Sequence, residues 1–408
     1  MADGRVPLTV NADSDGWLWT LRAVGGELEQ PVVVGGAVYV GVPGGRIAAL
    51  DAGSGQVRWC SVEIAKASPR RLVGAGEVVV VPVGRERERS GFTALEAATG
   101  EVRWTRRKSP LHRVVGVGDS TLVLWNDSDE ERGAIAGVDA LTGETLWEDE
   151  FTRINGLVVR GERVILDAGG FRALDARSGE EIWDGGVGHL VGQHGETEDA
   201  AVFLSWGSFL NTLAVQASDT GKKLSETRFP HRKAMKHFWS RSALVDGGRA
   251  LLSESFGRRV RLFAYTGLDQ AQSLGSWRLG RWRLSTLREA VCVGDWVYVR
   301  TWRHKVYAAQ VGPRRGLRRL TLAAPDGRSV RRPLNITAGP GYVLGWDTEA
   351  VSVIRDGRVL WAAATDILSL SDGPVPLGDD RVLFRARSGK GTEVRLYCAD
   401  VATGRRLY

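Results

Sequence analysis

The sequence predicts an all-β protein built from repeated four-stranded antiparallel sheets, and three observations support this fold class. A twelve-residue pattern that ends in Gly-x-x-x-Trp recurs along the chain. An alternating apolar run of strand length precedes each copy. Of the 408 residues, 52 are Gly, and a chain of many short strands needs such residues in its turns.

The repeated pattern is the strongest of these signals, and internal repeats decide an architecture before any local reading does. Four clear copies are AALDAGSGQVRW ending at Trp59, TALEAATGEVRW at Trp104, AGVDALTGETLW at Trp147 and RALDARSGEEIW at Trp183. Further copies end at Trp361 and Tyr408, with weaker ones near residue 225, at Trp277 and near residue 320.

Each repeat predicts four strands, A to D, in one sheet. Runs such as 31–41, 76–84 and 294–302 are rich in Val, Tyr and Trp and are bounded by Gly or Asp, as strands are. Pairs such as Gly35-Gly36 and Ser54-Gly55 supply the positive φ angles of tight hairpins. A small sheet with two apolar faces must stack on its neighbours. We expect the recurrent Trp of strand D to cover the outer seam between adjacent sheets.

These copies resemble the pyrroloquinoline-quinone-type β-propeller repeat, whose consensus is Ala-Leu-Asp-Ala-x-x-Gly-x-x-x-Trp. The resemblance is strong over 31–184 and 340–408 and looser between them. It implies a single β-propeller domain over 1–408 with four-stranded antiparallel blades. We predict eight blades, with nine as the alternative, since nine strand-D ends can be counted.

Residues 17–22, WLWTLR, predict how the propeller closes. They look like a further strand D, with Trp17 or Trp19 in the seam position. Pairing this strand with the C-terminal repeat would hide two exposed sheet edges. The alternative is an extra strand outside the last blade.

Composition narrows the class and the compartment. Apolar residues make up 43% of the chain and charged residues 25%, which excludes a disordered, collagen-like or coiled-coil protein. The three Cys, Cys60, Cys292 and Cys398, are far apart and odd in number, which favours a reducing compartment. With no apolar signal core at the N-terminus and no long apolar run, we expect a soluble, cytoplasmic monomer.

The expected topology places the D-to-A and B-to-C connections at one end of the propeller. All six His fall in connections assigned to that end: His112, His189, His194, His231, His237 and His304. Charge points to the same region, because residues 226–333 hold 23 Lys and Arg against 7 Asp and Glu. The remainder holds 32 positive against 41 negative residues, so the net charge of +7 conceals a basic sector.

Within the basic sector, Arg and Lys alternate with Trp, a combination that binds planar anions through guanidinium forks and ring stacking. The candidate ligand-binding residues are Arg232, Lys236, Trp239, Arg281, Trp282, Arg283, Trp302 and Arg303. The competing interpretation is that the Arg are solvated rim charges and the Trp pack between blades.

The signals for a metal or a cofactor are weak. The pairs His189–His194 and His231–His237 lack a diagnostic zinc spacing, and residues 126–133, NDSDEERG, lack calcium-loop spacing. Quinoprotein dehydrogenases share the repeat, but the chain has neither the signal peptide nor the adjacent Cys pair that the resemblance would imply. We therefore expect no metal and no cofactor.

The leading hypothesis is a binding or scaffold propeller that recognises an anionic small molecule or protein at its basic end. The lipid-anchored propeller of outer-membrane protein assembly has similar repeats and is a scaffold, although this chain lacks a lipidation Cys. The alternative is a biosynthetic enzyme in which His231, His237 or His304 is the acid or base and Arg281 or Arg283 holds an anion. Nucleic-acid binding is a third hypothesis, based on charge alone.

Overall fold

The fold was analysed in a computed structural model of the chain. The residues that the structure describes are 8–12, 17–23, 28–64, 72–85, 88–109, 111, 113–126, 133–151, 154–186, 189–190, 200–207, 210–217, 220–229, 243–245, 249–254, 259–264, 272–278, 287–301, 305–311, 317–320, 335–347, 350–364, 373–387 and 394–404. They form two compact units. Unit 1 comprises Met1–Arg153, Ala176–Gly179 and Thr365–Tyr408, and unit 2 comprises Ile154–Asp175 and Glu180–Ala364.

The strands of the N-terminal part follow the repeat pattern closely. Two strands precede the first repeat: β1 (Leu8–Ala12) and β2 (Trp19–Ala23). Sheet 1 contains β3 (Val32–Val34), β4 (Ala37–Val42), β5 (Arg46–Asp51) and β6 (Val57–Cys60). Sheet 2 contains β7 (Val73–Ala75), β8 (Val78–Arg85), β9 (Glu88–Glu96) and β10 (Val102–Ser109). Sheet 3 contains β11 (Arg113–Val117), β12 (Thr121–Trp125), β13 (Gly133–Asp139) and β14 (Thr145–Phe151).

Unit 2 continues the pattern through five more sheets. Sheet 4 contains β15 (Gly156–Arg160), β16 (Arg163–Asp167), β17 (Phe171–Asp175) and β18 (Glu181–Gly186). Sheet 5 contains β19 (His189–Leu190), β20 (Ala200–Gly207), β21 (Leu210–Ala217) and β22 (Lys223–Phe229). Sheet 6 contains β23 (Ala243–Val245), β24 (Arg249–Glu254), β25 (Arg259–Ala264) and β26 (Gln272–Arg278).

The last sheets complete both units. Sheet 7 contains β27 (Leu287–Val293), β28 (Trp296–Thr301), β29 (Val306–Gln310) and β30 (Arg318–Arg319). Sheet 8 contains β31 (Asn335–Gly339), β32 (Tyr342–Trp346), β33 (Ala350–Arg355) and β34 (Arg358–Ala364). Sheet 9 lies in unit 1 and begins with β35 (Val375–Leu377), β36 (Arg381–Arg387) and β37 (Val394–Asp400).

The described strands pair only antiparallel, and the described residues contain no helix. The all-β propeller of four-stranded sheets predicted from the repeat is therefore confirmed. Pairing of the described strands yields nine sheets, one more than the eight blades predicted and equal to the alternative. The weak copies near residues 225 and 320 each belong to a sheet of their own. The described residues contain no helix that is long and apolar enough to cross a membrane.

The N-terminal strand joins the C-terminal sheet as predicted. Trp19 pairs with Cys398 and Arg22 with Arg395, so β2 is the fourth strand of sheet 9. The strand β1 then pairs with the outer side of β2 as a fifth strand. The closing strand predicted from residues 17–22 is thus confirmed, and β1 is a further strand that was not predicted. The repeat copy predicted to end at Tyr408 has its last residues outside the described part of the chain.

The core of unit 1 lies between adjacent sheets rather than within one layer. Apolar side chains of sheets 1 and 2 form one buried cluster, those of sheets 2 and 3 another, and those of sheets 9 and 1 a third. The second strand of sheet 1, β4, is buried throughout, whereas the fourth strand, β6, is largely exposed. The fourth strands therefore form the outer rim of these sheets.

The recurrent Trp covers the outer seams of unit 1, as the repeat predicted. The indole Nε1 of Trp59 donates to the carbonyl oxygen of Ala97 at 2.9 Å, and its ring lies against Gly100 in the next sheet. A Cβ at Gly100 would lie 2.4 Å from the Trp59 ring, so only Gly fits under the indole. The same two contacts recur for Trp104, Trp147 and Trp19 with Ala140 and Gly143, Ala176 and Gly179, and Ala52 and Gly55.

The seam between sheets 7 and 8 uses different residues, because the copy near residue 320 has no Trp. Here the ring of Trp296, from the start of β28, lies against Gly357. The Gly357 N–H donates to the hydroxyl oxygen of Tyr298 at 3.0 Å, and Arg318 donates to the Gly357 carbonyl. Three side chains thus replace the single indole, which explains why the repeat is hard to see at this point.

Candidate functional site

The predicted site residues fall outside the described part of the chain. This applies to all eight candidate ligand-binding residues: Arg232, Lys236, Trp239, Arg281, Trp282, Arg283, Trp302 and Arg303. It applies equally to the candidate acid or base residues His231, His237 and His304. What the structure does describe is the strand ends from which their connections leave, and these ends restrict where the connections lie.

The connection 302–304 is closed at its base by described residues. The Thr301 N–H donates to the Lys305 carbonyl at 3.0 Å, and the Lys305 N–H donates to the Thr301 hydroxyl at 3.3 Å. Thr301 is buried and Lys305 is half-buried. The three intervening residues therefore leave β28 and re-enter β29 at one point at the end of sheet 7.

The connection 279–286 arrives at the same end of that sheet. Its last residue precedes Leu287, and Leu287 is the cross-strand partner of Thr301. In an antiparallel sheet, the start of the first strand and the end of the second strand share one edge. The described strand ends next to 279–286 and 302–304 therefore lie at one edge of sheet 7.

The connection 230–242 enters the neighbouring sheet in the equivalent way. It leads into Ala243 at the start of β23, the first strand of sheet 6, and β23 contacts β27, the first strand of sheet 7. The three connections thus precede or follow a first or second strand of two neighbouring sheets. This part of the placement follows from topology in unit 2 alone.

A cation lies within the described end of sheet 7. Arg300, the penultimate residue of β28, has a fully buried side chain. Its Cα partner across the ladder is Glu289. Arg300 lies on the same face of β28 as Tyr298, since side chains alternate along a strand. Sequence reasoning missed Arg300, although the apolar alternation of WVYVRTW indicates an Arg at a buried position.

Two other described cations of the basic sector lie in the fourth strand of sheet 7. Arg318 and Arg319 form β30, the fourth strand of sheet 7, and both are exposed. Arg318 is engaged in the seam through the Gly357 carbonyl.

One histidine prediction was wrong. His189 was placed in a connection, but it lies in β19, where its Cα partner is Leu204. The reason is that sheet 5 begins directly after sheet 4, leaving a two-residue connection at 187–188. His112, His194, His231, His237 and His304 lie outside the described residues, so their common placement stays a prediction.

Metal-binding chemistry was sought among the described side chains. No three His, Cys, Asp or Glu side chains group there in a way that could hold a metal ion. All three Cys are free thiols, and burial raises the pKa of Cys398 to about 12 and that of Cys60 by a smaller amount.

A family model described as outer membrane protein assembly factor BamB matches residues 2–164. No curated protein matches the chain significantly. Among solved structures, BamB from Moraxella catarrhalis is similar at 15% identity and a TM-score of 0.50, with 96% of this chain and 97% of that chain covered.

Two quinohemoprotein alcohol dehydrogenases are also similar. The enzyme ADHIIG from Pseudomonas putida is 14% identical with a TM-score of 0.47, covering 92% of this chain and 74% of the enzyme. The enzyme from Comamonas testosteroni is 12% identical with a TM-score of 0.48, covering 94% and 75%. At such identities a structural likeness concerns the fold alone. The repeated Trp-on-Gly seams and the likeness to the Moraxella catarrhalis structure show that the chain has a β-propeller fold, and its residues 2–164 are similar to the repeats of the matched family model.

Proposed function

We propose that the chain is a binding propeller that holds an anionic protein partner at the basic end of sheets 6 and 7. The observation that carries the proposal is the charge asymmetry: a net of +16 in residues 226–333 against −9 in the remainder. A field of this kind concentrates anions at one part of a surface and accelerates their association.

The backbone register supports convergence of the residues concerned. The connection 279–286 leads into Leu287 and the connection 302–304 follows Thr301, and these two residues are cross-strand partners in sheet 7. The connection 230–242 leads into the first strand of sheet 6. Together these connections carry Arg232, Lys236, Arg281, Arg283 and Arg303. Several guanidinium groups at one edge can bind the carboxylates of a partner bidentately. The Trp residues among them supply apolar contact area at low entropic cost.

The choice of a protein as the anionic partner draws on the matched family model. That model is named for an assembly factor of outer membrane proteins, and an assembly factor acts on other proteins. For this chain we propose only the general role of holding a protein. We further propose that it works as a monomer in the cytoplasm, where its three free thiols would stay reduced.

The test uses fluorescein-labelled poly-L-glutamate as an acidic polypeptide probe, with tripolyphosphate and duplex DNA in parallel. We expect the Arg281→Gln/Arg283→Gln variant to bind poly-L-glutamate at least about tenfold more weakly, since two charge-assisted contacts are lost. The control is Arg358→Gln, which removes an exposed charge of unit 2 outside the basic sector. Equal weakening in both variants would contradict the proposed location, and preference for DNA would replace a protein partner by nucleic acid.

No observation on the described residues favours the enzyme hypothesis. The three His proposed as acid or base lie outside the described residues. The binding proposal requires only that the connections converge, which the register supports, whereas catalysis would require particular side chains within hydrogen-bonding reach of a substrate.

A further inference from the structure

The outer rim of unit 1 exposes strand edges of unequal regularity. The outer strand β14 forms five consecutive register pairs with β13, from Gly133–Phe151 to Gly137–Trp147. The outer strand β10 has three such pairs between two register shifts, and β6 has two. Irregular edges resist the addition of another strand, whereas a regular edge accepts one.

The chain itself shows that an outer edge of this fold accepts a further strand. In sheet 9 the outer edge of β2 is covered by β1, with five register pairs from Leu8–Ala23 to Ala12–Trp19. Leu8 and Val10 of β1 pack against the apolar cluster between sheets 9 and 1. In the described chain, β14 pairs with β13 and with no strand on its outer side.

Hydrogen bonding identifies which backbone groups of β14 face outward. Ala134, the partner of Glu150, directs its N–H to the Asn126 side chain and its carbonyl to the Asn126 N–H. Glu150 is therefore not bonded to β13, and its N–H donates to Asp149 Oδ1 at 2.8 Å. Because bonded and non-bonded pairs alternate in an antiparallel ladder, the N–H and C=O groups of Glu148 also face outward.

The side chains on this edge specify the chemistry of an added strand. Glu148 and Glu150 lie on one face of β14, and both are exposed. Residues of an incoming strand opposite these two would have to alternate in the same way, so Lys or Arg at every second position would pair with both carboxylates. Arg106 contacts Glu148 at 3.4 Å, which shows that this face already accommodates a guanidinium. Leu146, 40% exposed, adds an apolar contact on the same face.

We propose that the outer edge of β14 binds an extended, basic segment of a partner protein by β-strand addition. The backbone of Glu148 and Glu150 supplies the hydrogen bonds, with a carbonyl of the added strand replacing Asp149 Oδ1 as the acceptor of the Glu150 N–H. The carboxylates of Glu148 and Glu150 select Lys or Arg at alternate positions. This edge of unit 1 is acidic, whereas the connections of unit 2 are basic. It would therefore recognise a basic segment, and the connections an acidic one.

The probe is a short fluorescent peptide with Lys at every second position and Val or Thr between them, measured by anisotropy against the full chain. We expect saturable binding that weakens with added salt. The same peptide methylated on alternate backbone nitrogens keeps its charge but cannot donate to the edge, and we expect it to bind at least about tenfold more weakly. Equal affinity of the two peptides would overturn strand addition, as would absence of binding.

Two substitutions at one position separate the backbone from the charge. Glu150→Gln removes the carboxylate and should weaken binding about two- to five-fold. Glu150→Pro also removes the outward N–H, without removing a bond to β13, and should weaken binding by at least about tenfold. Glu144→Gln, in the turn before β14, is the matched control and should have no effect. If the Pro and Gln variants bind alike, the attraction is electrostatic only and the proposal fails.

Discussion

Replacing Gly100 by Ala tests whether the indole of Trp59 holds sheets 1 and 2 together. Gly100 has a φ of +77°, and an added Cβ would lie 2.4 Å from the Trp59 ring. The left-handed backbone alone costs an Ala about 1–2 kcal/mol. Moving the indole aside costs about 1–3 kcal/mol in packing and about 1 kcal/mol for its hydrogen bond to Ala97. We therefore expect Gly100→Ala to lower the free energy of unfolding by about 3–6 kcal/mol.

The control is Gly36→Ala, which isolates the contribution of the ring. Gly36 has a φ of +73°, and an added Cβ there would meet nothing within 4 Å. This variant should lose only the backbone component of about 1–2 kcal/mol. The losses in the free energy of unfolding of the two variants are measured by urea titration, with circular dichroism as the signal. Equal losses would refute the claim that the indole requires Gly beneath it.

A double-mutant cycle sharpens the test. In a Trp59→Leu background the ring is gone, so Gly100→Ala should cost no more than Gly36→Ala does. The difference between the two backgrounds, about 2–4 kcal/mol, is the coupling between Trp59 and Gly100. A coupling near zero would mean that the seam does not depend on this contact.

Two further predictions concern single side chains. Arg58, 2.6 Å from Asp51, and the Ser54 groups hold the pKa of the Asp51 carboxyl well below its usual range. Asp51→Asn should therefore destabilise at pH 7, and its deficit relative to the parent chain should shrink as the pH falls below about 4, where the unfolded-state carboxyl becomes protonated; a deficit constant from pH 7 to pH 3 would contradict this. Tyr298→Phe removes the acceptor of the Gly357 N–H and should cost about 1–3 kcal/mol in urea titrations. Burial raises the pKa of Tyr298 to about 12, so this loss should be the same at pH 7 and pH 9, and a loss that changes would contradict the assignment.

The strong repeats could be predicted because their chemistry is local. The Asp at the start of several C-to-D turns accepts hydrogen bonds from the turn backbone, as Asp139 does from the N–H groups of Leu141 and Thr142. The Gly and Trp of the same copy then meet across a seam whose geometry repeats. Strand positions, the closing strand and the seams of unit 1 all follow from these few residues.

The sheet count was harder to predict because the seam can be closed by other side chains. Between sheets 7 and 8, Trp296, Tyr298 and Arg318 contact Gly357 from three positions that the repeat pattern does not include. A search for strand-D Trp therefore undercounts the sheets. In contrast, the apolar runs 31–41 and 294–302 were recognised from alternation alone, and they contain β3, β4 apart from its last residue, and β28.

The candidate site was predictable only to the level of connections. Charge counting locates a basic sector because it needs no coordinates, and the register then shows only that the strand ends at Leu287 and Thr301 lie at one edge of sheet 7. Arg300 escaped that reasoning because its burial depends on packing along β28, and a charge count treats it like any exposed Arg. Which side chains converge is decided by loop geometry, which repeats do not encode.

The measurement that tests the binding proposal most directly is hydrogen–deuterium exchange of the full chain with and without poly-L-glutamate. A site shared by the three connections should slow exchange in 230–242, 279–286 and 302–304 together, at the same probe concentration. Slowing confined to one of these segments, or centred in the acidic remainder of the chain, would contradict a common anion-binding edge.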